Sequence, residues 1–261
     1  MDLNALLALP PNGLAIFLLV LCRASAIFLV APVLGNANVP QRVKIGLAFM
    51  LALIFTPFLM TTPLTVDVTN GWALAVAVLQ ELSIGLVIGF LAQLVFVAFQ
   101  FAGQAVGLQM GFGMANVFDP QSHAQVSVTA QFYLLVGVLV FLLIDGHHWL
   151  IVALEKSFTS VPLGTFHLDQ RLFNVVLRAS DDLFWTSLTL MAPVLGVLLL
   201  AEVGMGIVAR IMPQMNVFVA SFPVKVGLGV LTMALAFPLM VGYMSSLTEQ
   251  SFALILKFLG A

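Results

Sequence analysis

Residues 72–120 read WALAVAVLQELSIGLVIGFLAQLVFVAFQFAGQAVGLQMGFGMANVFDP, with no charged residue between Glu81 and Asp119. As a single helix, residues 72–107 would extend about 54 Å at about 1.5 Å per residue. The hydrocarbon core of a bilayer is only about 30 Å thick. The stretch therefore predicts a helix that tilts strongly, breaks, or rises out of the membrane plane inside an assembly, and that leads into a glycine-rich loop.

The composition of the whole chain agrees with a membrane setting. The 261 residues are 62% hydrophobic and 8% charged, with a mean hydropathy of +1.15, whereas soluble domains carry about 25% charged residues. So much apolar side chain must be solvated by lipid or by other hydrophobic subunits. The net charge of -2 gives no indication of nucleic-acid binding.

Long apolar runs with a helical pattern predict an all-α integral membrane protein of about six long, kinked helices or helical hairpins. No basic residue precedes the first run, which we therefore expect to be a retained membrane helix rather than a cleaved signal. The last run contains Pro223 and Pro238, where we expect it to break. The predicted runs are 14–34, 43–60, 72–107, 126–144, 183–201 and 217–247.

We expect a single domain over 1–261. Its predicted parts are N-terminal helices within 12–101, a loop over 103–122 and C-terminal helices within 124–258. Residues 155–182 are the most hydrophilic part of the chain, so they should lie outside the hydrocarbon.

The loop has the composition of a movable closure. Met110, Phe112 and Met114 alternate with Gly111 and Gly113, so bulky, adaptable side chains lie on a hinge-prone backbone. Apolar constrictions can close a pore by excluding water. A plain turn between two membrane helices is the alternative interpretation.

Glycines recur every four residues around the start of this loop. Gly103, Gly107 and Gly111 would form one smooth helical face that allows another helix to approach closely, or they would mark the point where the helix ends. Asp119 and Pro120 close the stretch and complete the candidate hinge and packing positions.

Arg23 lies in the middle of the first apolar run, where an arginine costs about 2.5–3.5 kcal/mol on insertion scales. It should therefore face protein, water or a carboxylate, and Glu81 is one available partner. The alternative is a helix that begins later, with Arg23 reaching back to the interface.

Three more charges, Glu202, Arg210 and Lys225, interrupt the C-terminal apolar half. They would serve either a coupling-ion pathway or contacts between subunits. Transporters usually show related halves around a central site, and this chain shows none that is convincing. The pattern favours structural or interface roles for these charges.

No group of residues indicates catalysis, a cofactor or a bound metal. The four histidines lack acidic or cysteine partners at metal-ligand spacings, and adjacent histidines on a helix point about 100° apart. Intramembrane-protease motifs and a Walker loop are absent from the sequence. We therefore predict that the protein is not an enzyme. Its one cysteine, Cys22, excludes an intrachain disulfide.

Three stretches resemble one known family. The run GLQMGFGMANVFDP over 107–120 resembles the signature of FliR, a flagellar type III export-gate protein. A second similarity is GIVARIMPQMNVF over 206–218, followed by FPVK over 222–225. A weaker third is Arg23 leading to APVLG over 31–35. The similarity covers nearly the whole chain.

The resemblance implies a non-enzymatic gate subunit in the flagellar basal body of the bacterial inner membrane. It implies assembly with FliP-type and FliQ-type small membrane subunits and contact with an FlhB-type switch protein. Unfolded flagellar proteins would pass through the centre of an inclined ring of kinked helical hairpins, which residues 110–114 would plug. The Met-Gly-Phe-Gly-Met form favours the flagellar branch over the homologous injectisome subunit. That subunit remains an alternative, as does an ion-coupled small-solute transporter.

Overall fold

A computed structural model describes residues 12–36, 39–61, 64, 66–67, 70–112, 127–167, 170–214 and 216–259. Within these ranges the chain forms seven α-helices and no strand, which confirms the all-α prediction. The helices are α1 (Gly13–Val30), α2 (Gln41–Leu59), α3 (Gly71–Met110), α4 (Val128–Leu143), α5 (Gly146–Ser160), α6 (Gln170–Ile211) and α7 (Val217–Phe258).

Five of these helices are long and apolar enough to cross a membrane, or six if α4 and α5 count as one broken span. The break falls at Asp145, whose backbone has a left-handed conformation with φ 55. The residues after Asp145 begin helix α5. The described residues thus contain seven helices, and their five or six long apolar spans agree with the prediction of about six.

Helix α3 has 40 residues, so it is longer than the predicted run. It continues through residues 103–110, where the sequence predicted the start of a loop, and ends at Met110. Gly111, with φ 95, follows at once. Because this backbone conformation is strained for residues other than glycine, Gly111 marks the end of the helix.

Helices α6 and α7 have 42 residues each, about 63 Å at about 1.5 Å per residue. The predicted run over 183–201 is too short, because α6 already begins at Gln170, runs through Asp181 and Asp182, and ends at Ile211. The predicted breaks at Pro223 and Pro238 are also wrong, since α7 continues through both prolines. Long apolar helices tolerate proline where neighbouring groups satisfy the freed carbonyls.

The chain divides into two compact units. Unit 1 comprises Met1–Gln93, Asp145–Ala179 and Gln250–Ala261, and unit 2 comprises Leu94–Ile144 and Ser180–Glu249. In unit 1, α1 is the central helix, with Leu19, Val20 and Ile27 fully buried.

Candidate functional site

Unit 1 contains a buried ion pair between α1 and α3. Nε of Arg23 donates to Oε2 of Glu81 at 2.5 Å, and both side chains are 0% exposed. The structure thus joins the two residues that the sequence left unpaired. An arginine that reaches back to the membrane interface is excluded by this burial.

The guanidinium of Arg23 also holds the end of α5. Its Nη1 donates to the carbonyl oxygen of Ser157 at 2.8 Å, and Nη1 and Nη2 both donate to the carbonyl oxygen of Val161 at 3.1 Å. The ring of Phe158 lies 4.7 Å from the guanidinium carbon, a cation–π distance. One side chain therefore ties three helices of unit 1 together.

Glu81 has a second donor, the backbone N–H of Gly164, at 2.8 Å from Oε1. Gly164 adopts φ 72, a conformation that favours glycine. The Glu81 carboxylate therefore accepts hydrogen bonds from the Arg23 side chain of α1 and from the backbone of the turn that follows α5. A buried ion pair with such additional hydrogen bonds has the geometry of a structural link.

Glycines bring α1 and α3 close together beside this pair. A Cβ at Gly85 would lie 2.5 Å from the carbonyl oxygen of Arg23, and one at Gly89 would lie 2.9 Å from that of Ile27. The four-residue spacing is the small-residue pattern of close helix packing in membranes. Sequence analysis missed these two positions, although their spacing was the available signal.

In unit 2, the same pattern brings α3 against the start of α4. A Cβ at Gly103 would lie 2.6 Å from both the Cα of Ala130 and the carbonyl oxygen of Thr129, and one at Gly107 would clash with the Thr129 hydroxyl. The Thr129 hydroxyl donates to the carbonyl of Gly103 at 2.7 Å. Of the two expectations for these glycines, close packing therefore describes Gly103 and Gly107, and helix termination describes Gly111.

The last turn of α3 lies against α7. Met110 is 0% exposed, and a Cβ at Gly229 would lie 2.7 Å from its Cε and 2.8 Å from its Cγ. The ring of Phe222 lies beside Gly111, within 3.0 Å of where a Cβ would be. Sequence reasoning did not identify Gly229, because a glycine inside an apolar run carries no specific signal.

An apolar cavity of about 490 Å³ opens in unit 2 beside this turn. Met110 and Phe112 contribute to its wall, together with Phe132 of α4 and Met233 of α7. Methionine and phenylalanine line this cavity almost without polar groups, so it suits apolar side chains rather than polar substrates.

Glu202 of α6 makes a polar bridge at the same place. Its Oε2 accepts from Nε2 of Gln109 at 2.8 Å, and its Oε1 accepts from Nζ of Lys225 at 3.1 Å. The Glu202 side chain is 54% exposed and that of Lys225 is 17% exposed.

Arg210 is exposed in the last turn of α6, where the helix dipole favours a cation. Of the five charges assigned to buried or assembly contacts, Arg23 and Glu81 are buried within this chain; the assembly roles of the other three stay predictions.

Four of the predicted plug and hinge residues lie outside the described residues: Gly113, Met114, Asp119 and Pro120. Their predicted roles stay predictions.

A histidine cluster lies at the start of α5. Asp145, His147 and His148 each offer a ligand atom within 4.8 Å of the others, although the sequence predicted that adjacent histidines would not share an ion. His148 Nδ1 lies 3.8 Å from Asp145 Oδ1, and both side chains are largely exposed. The cluster lies at a helix N-terminus, whose partial positive charge opposes a bound cation.

The fold and these contacts together define a class. The chain is a multi-pass helical membrane protein whose buried polar groups link its own helices. The sequence profile described as "Bacterial export proteins, family 1" matches residues 14–251. Flagellar biosynthetic protein FliR of Escherichia coli K12 is 35% identical over 235 residues, which cover 90% of this chain and 89% of that protein.

Two further FliR proteins are similar. That of Pectobacterium carotovorum is 34% identical over 91% of this chain and 90% of its own length. That of Bacillus subtilis 168 is 34% identical over 80% of this chain and 81% of its own length. The chain belongs to family 1 of the bacterial export proteins and, within it, to the FliR family. As a member it is a structural component of the export apparatus and not an enzyme.

Proposed function

We propose that this chain is a channel-forming subunit of the flagellar type III protein-export gate in the bacterial inner membrane. Unfolded flagellar proteins are the passengers, and the segment after α3 is the closure. The end of α3 carries the proposal: a fully buried Met110 anchors the turn at Gly111, from which the Gly/Met/Phe segment starts.

The plug consists of Met110, Gly111, Phe112, Gly113 and Met114. Methionine and phenylalanine present soft apolar surface that fits irregular partners, and an apolar constriction excludes water and ions while it is closed. Glycines allow the backbone to change conformation when a passenger enters. The apolar cavity in unit 2 supports this assignment, because Met110 and Phe112 line it together with other mostly apolar side chains.

FliP-type and FliQ-type membrane subunits are the proposed neighbours, with an FlhB-type protein in contact with them. In an apolar stretch of 18 residues of α6, only 11% of the residues are buried within the chain. The corresponding fraction for α7 is 22%. Each helix is about twice as long as the roughly 30 Å hydrocarbon core. Both helices therefore extend beyond the hydrocarbon core, and their exposed apolar residues outside that core need cover from other hydrophobic subunits.

Deleting residues 111–114 tests the plug. Cells that express the complete gate with this deletion should leak ions and small solutes, because the apolar seal is missing. Potassium efflux measures the leak, and co-purification of the gate subunits followed by intact mass measurement verifies assembly. The control is Glu155→Lys, an exposed charge reversal on α5, which should leave permeability unchanged. Normal permeability in a correctly assembled deletion complex would exclude the plug.

The transporter alternative gains no support from these contacts. Arg23 and Glu81 neutralise each other as a buried pair within unit 1, so neither is left free to bind an ion there. Glu202 forms its ion pair with Lys225. The flagellar names of the similar proteins favour the flagellar gate over the injectisome subunit.

A further inference from the structure

Glu202 lies where three helices of unit 2 meet at the base of the proposed plug. Its two carboxylate oxygens are divided between two partners, Gln109 in the last turn of α3 and Lys225 on α7. Gln109 immediately precedes Met110, so the bridge is one residue away from the first plug residue. We propose that Glu202 is a positioning residue that holds the plug closed by fixing the end of α3 between α6 and α7.

One face of α7 supports this assignment. Phe222, Lys225 and Gly229 follow one another at spacings of three and four residues, so they lie on the same face of the helix. All three meet the same short segment: Phe222 lies beside Gly111, Lys225 reaches it through Glu202, and Gly229 receives the side chain of Met110. The polar bridge thus lies between two apolar contacts on a single surface.

The three contacts differ in what they constrain. The apolar contacts at Phe222 and Gly229 fix how closely the end of α3 approaches α7, because Met110 fits only where α7 lacks a Cβ. They are not directional, so they do not fix the rotation of the last turn of α3 about its axis. Hydrogen bonds at 2.8 and 3.1 Å to one carboxylate are directional and fix the rotation of the last turn of α3.

Exposure makes this bridge suitable for release. The Glu202 side chain is 54% exposed and that of Lys225 17%, so a competing group can reach this pair more easily than the fully buried pair of Arg23 and Glu81. Breaking the bridge should therefore loosen the base of the plug while leaving the fold intact. A passenger or a neighbouring subunit that competes for Glu202 or Lys225 would release the same contact.

This inference rests on the proposed function, because it assigns a closing role to contacts around the plug. It adds that closure depends on three residues outside the plug, Gln109, Glu202 and Lys225. The sequence alone did not indicate Gln109, since a glutamine in an apolar helix has many other uses.

Charge reversal and its repair test the bridge in the assembled gate. Glu202→Lys and Lys225→Glu should each raise potassium efflux several-fold, because like charges then face each other at the base of the plug. The double variant, Glu202→Lys with Lys225→Glu, restores an opposite pair. Gln109 can still take part in it, because its amide oxygen accepts a hydrogen bond from a lysine. Efflux in the double variant should return close to wild type.

Glu155→Lys and Lys156→Glu are matched controls. They carry the same reversals at exposed positions of α5 in unit 1, and they should leave efflux unchanged. Intact mass of the purified complex verifies that every variant assembles. A purely structural role for Glu202 would lower the yield of complex without raising efflux through the complexes that form.

Two further measurements separate the outcomes. The deletion of residues 111–114 provides the fully open reference. If the deletion variant leaks and both single reversals do not, the closing role of the Glu202 bridge is excluded, whereas the plug assignment is retained. If the deletion does not leak, the plug itself is excluded. Hydrogen–deuterium exchange of residues 103–112 in the purified complex is independent of permeability. It should accelerate in Glu202→Gln, and unchanged exchange would overturn the positioning role.

Discussion

Replacing one member of the buried pair should destabilise the chain strongly. Glu81→Leu leaves the Arg23 cation buried without a carboxylate, with the carbonyl and hydroxyl groups at the end of α5 and the Phe158 ring as its remaining partners. Removing one partner of a buried ion pair costs about 3–5 kcal/mol. The folded-to-unfolded ratio should therefore fall by roughly two to three and a half orders of magnitude. Arg23→Leu should cost a similar amount, because Glu81 then keeps only the Gly164 N–H.

Replacing both members should cost less than replacing either one. With leucine at both positions no charge remains buried, and a well-packed apolar pair is often as stable as the ion pair. The chief remaining loss is the backbone N–H of Gly164, which no longer has its acceptor. An unsatisfied buried donor costs about 1–3 kcal/mol. The double variant should therefore unfold between wild type and the two single variants.

Thermal unfolding in detergent measures this order. Each variant carries a fluorescent fusion and is heated, and the fraction that remains monodisperse is read by gel filtration. Arg178→Leu is the control, because it removes an exposed arginine from α6 and should cost less than about 0.5 kcal/mol. A double variant as unstable as the sum of the two singles would refute the reasoning, as would single variants that unfold like wild type.

Two glycine substitutions, each with a matched control, test the close contacts of α3. Gly103→Ala should cost about 1–3 kcal/mol, because its Cβ would meet backbone atoms at the start of α4 that cannot move aside. Gly204→Ala, with open space around its Cβ, should be neutral or stabilising in the same thermal assay, and equal effects would contradict close packing. Gly229→Ala should displace the methionine that ends α3, and should raise potassium efflux with little loss of assembly. Gly227→Ala has nothing within 4 Å of its Cβ and should not raise efflux, so a leak in both variants would contradict a specific seat for the methionine.

The sequence predicted the helical class, the overlong third helix and the need of Arg23 for a buried partner. These features follow from hydropathy and from the cost of an isolated charge in hydrocarbon, and both are local. It did not predict that the partner is Glu81, because that choice depends on how α1 and α3 pack. Nor did it predict the long, continuous α6, because polar residues such as Asp181 end an apolar run without ending a helix.

The end of α3 shows the same division between local and tertiary signals. Gly111 was expected either to end the helix or to pack against another, and its φ of 95 decides for the end. By contrast, Met110 packs against Gly229, and Gln109 donates a hydrogen bond to Glu202. Both partners lie more than ninety residues away along the chain. Such contacts depend on the tertiary arrangement within unit 2, which hydropathy does not encode.

The placement of polar groups explains how so apolar a chain keeps one packing. In a membrane setting, burying leucine against leucine gains little over burying it in lipid, so apolar area alone does not select among helix arrangements. Selection must come from contacts that lipid cannot replace. In unit 1 these are the pair of Arg23 with Glu81 and the close approach at Gly85; in unit 2 they are the close approach at Gly103 and the Glu202 bridge.

The two polar links differ in burial, and this difference matches two different tasks. The pair in unit 1 is 0% exposed, so opening it would place an unpaired charge in an apolar surrounding, which makes it a permanent link. The bridge in unit 2 is 54% exposed at Glu202 and 17% at Lys225, so a competing group can reach the Glu202 carboxylate at a smaller cost than opening the buried pair. Under the proposed function, a chain that forms part of a channel wall and also opens a closure needs one link of each kind. The Glu202 bridge lies next to the end of α3, where Gly111 is the candidate hinge.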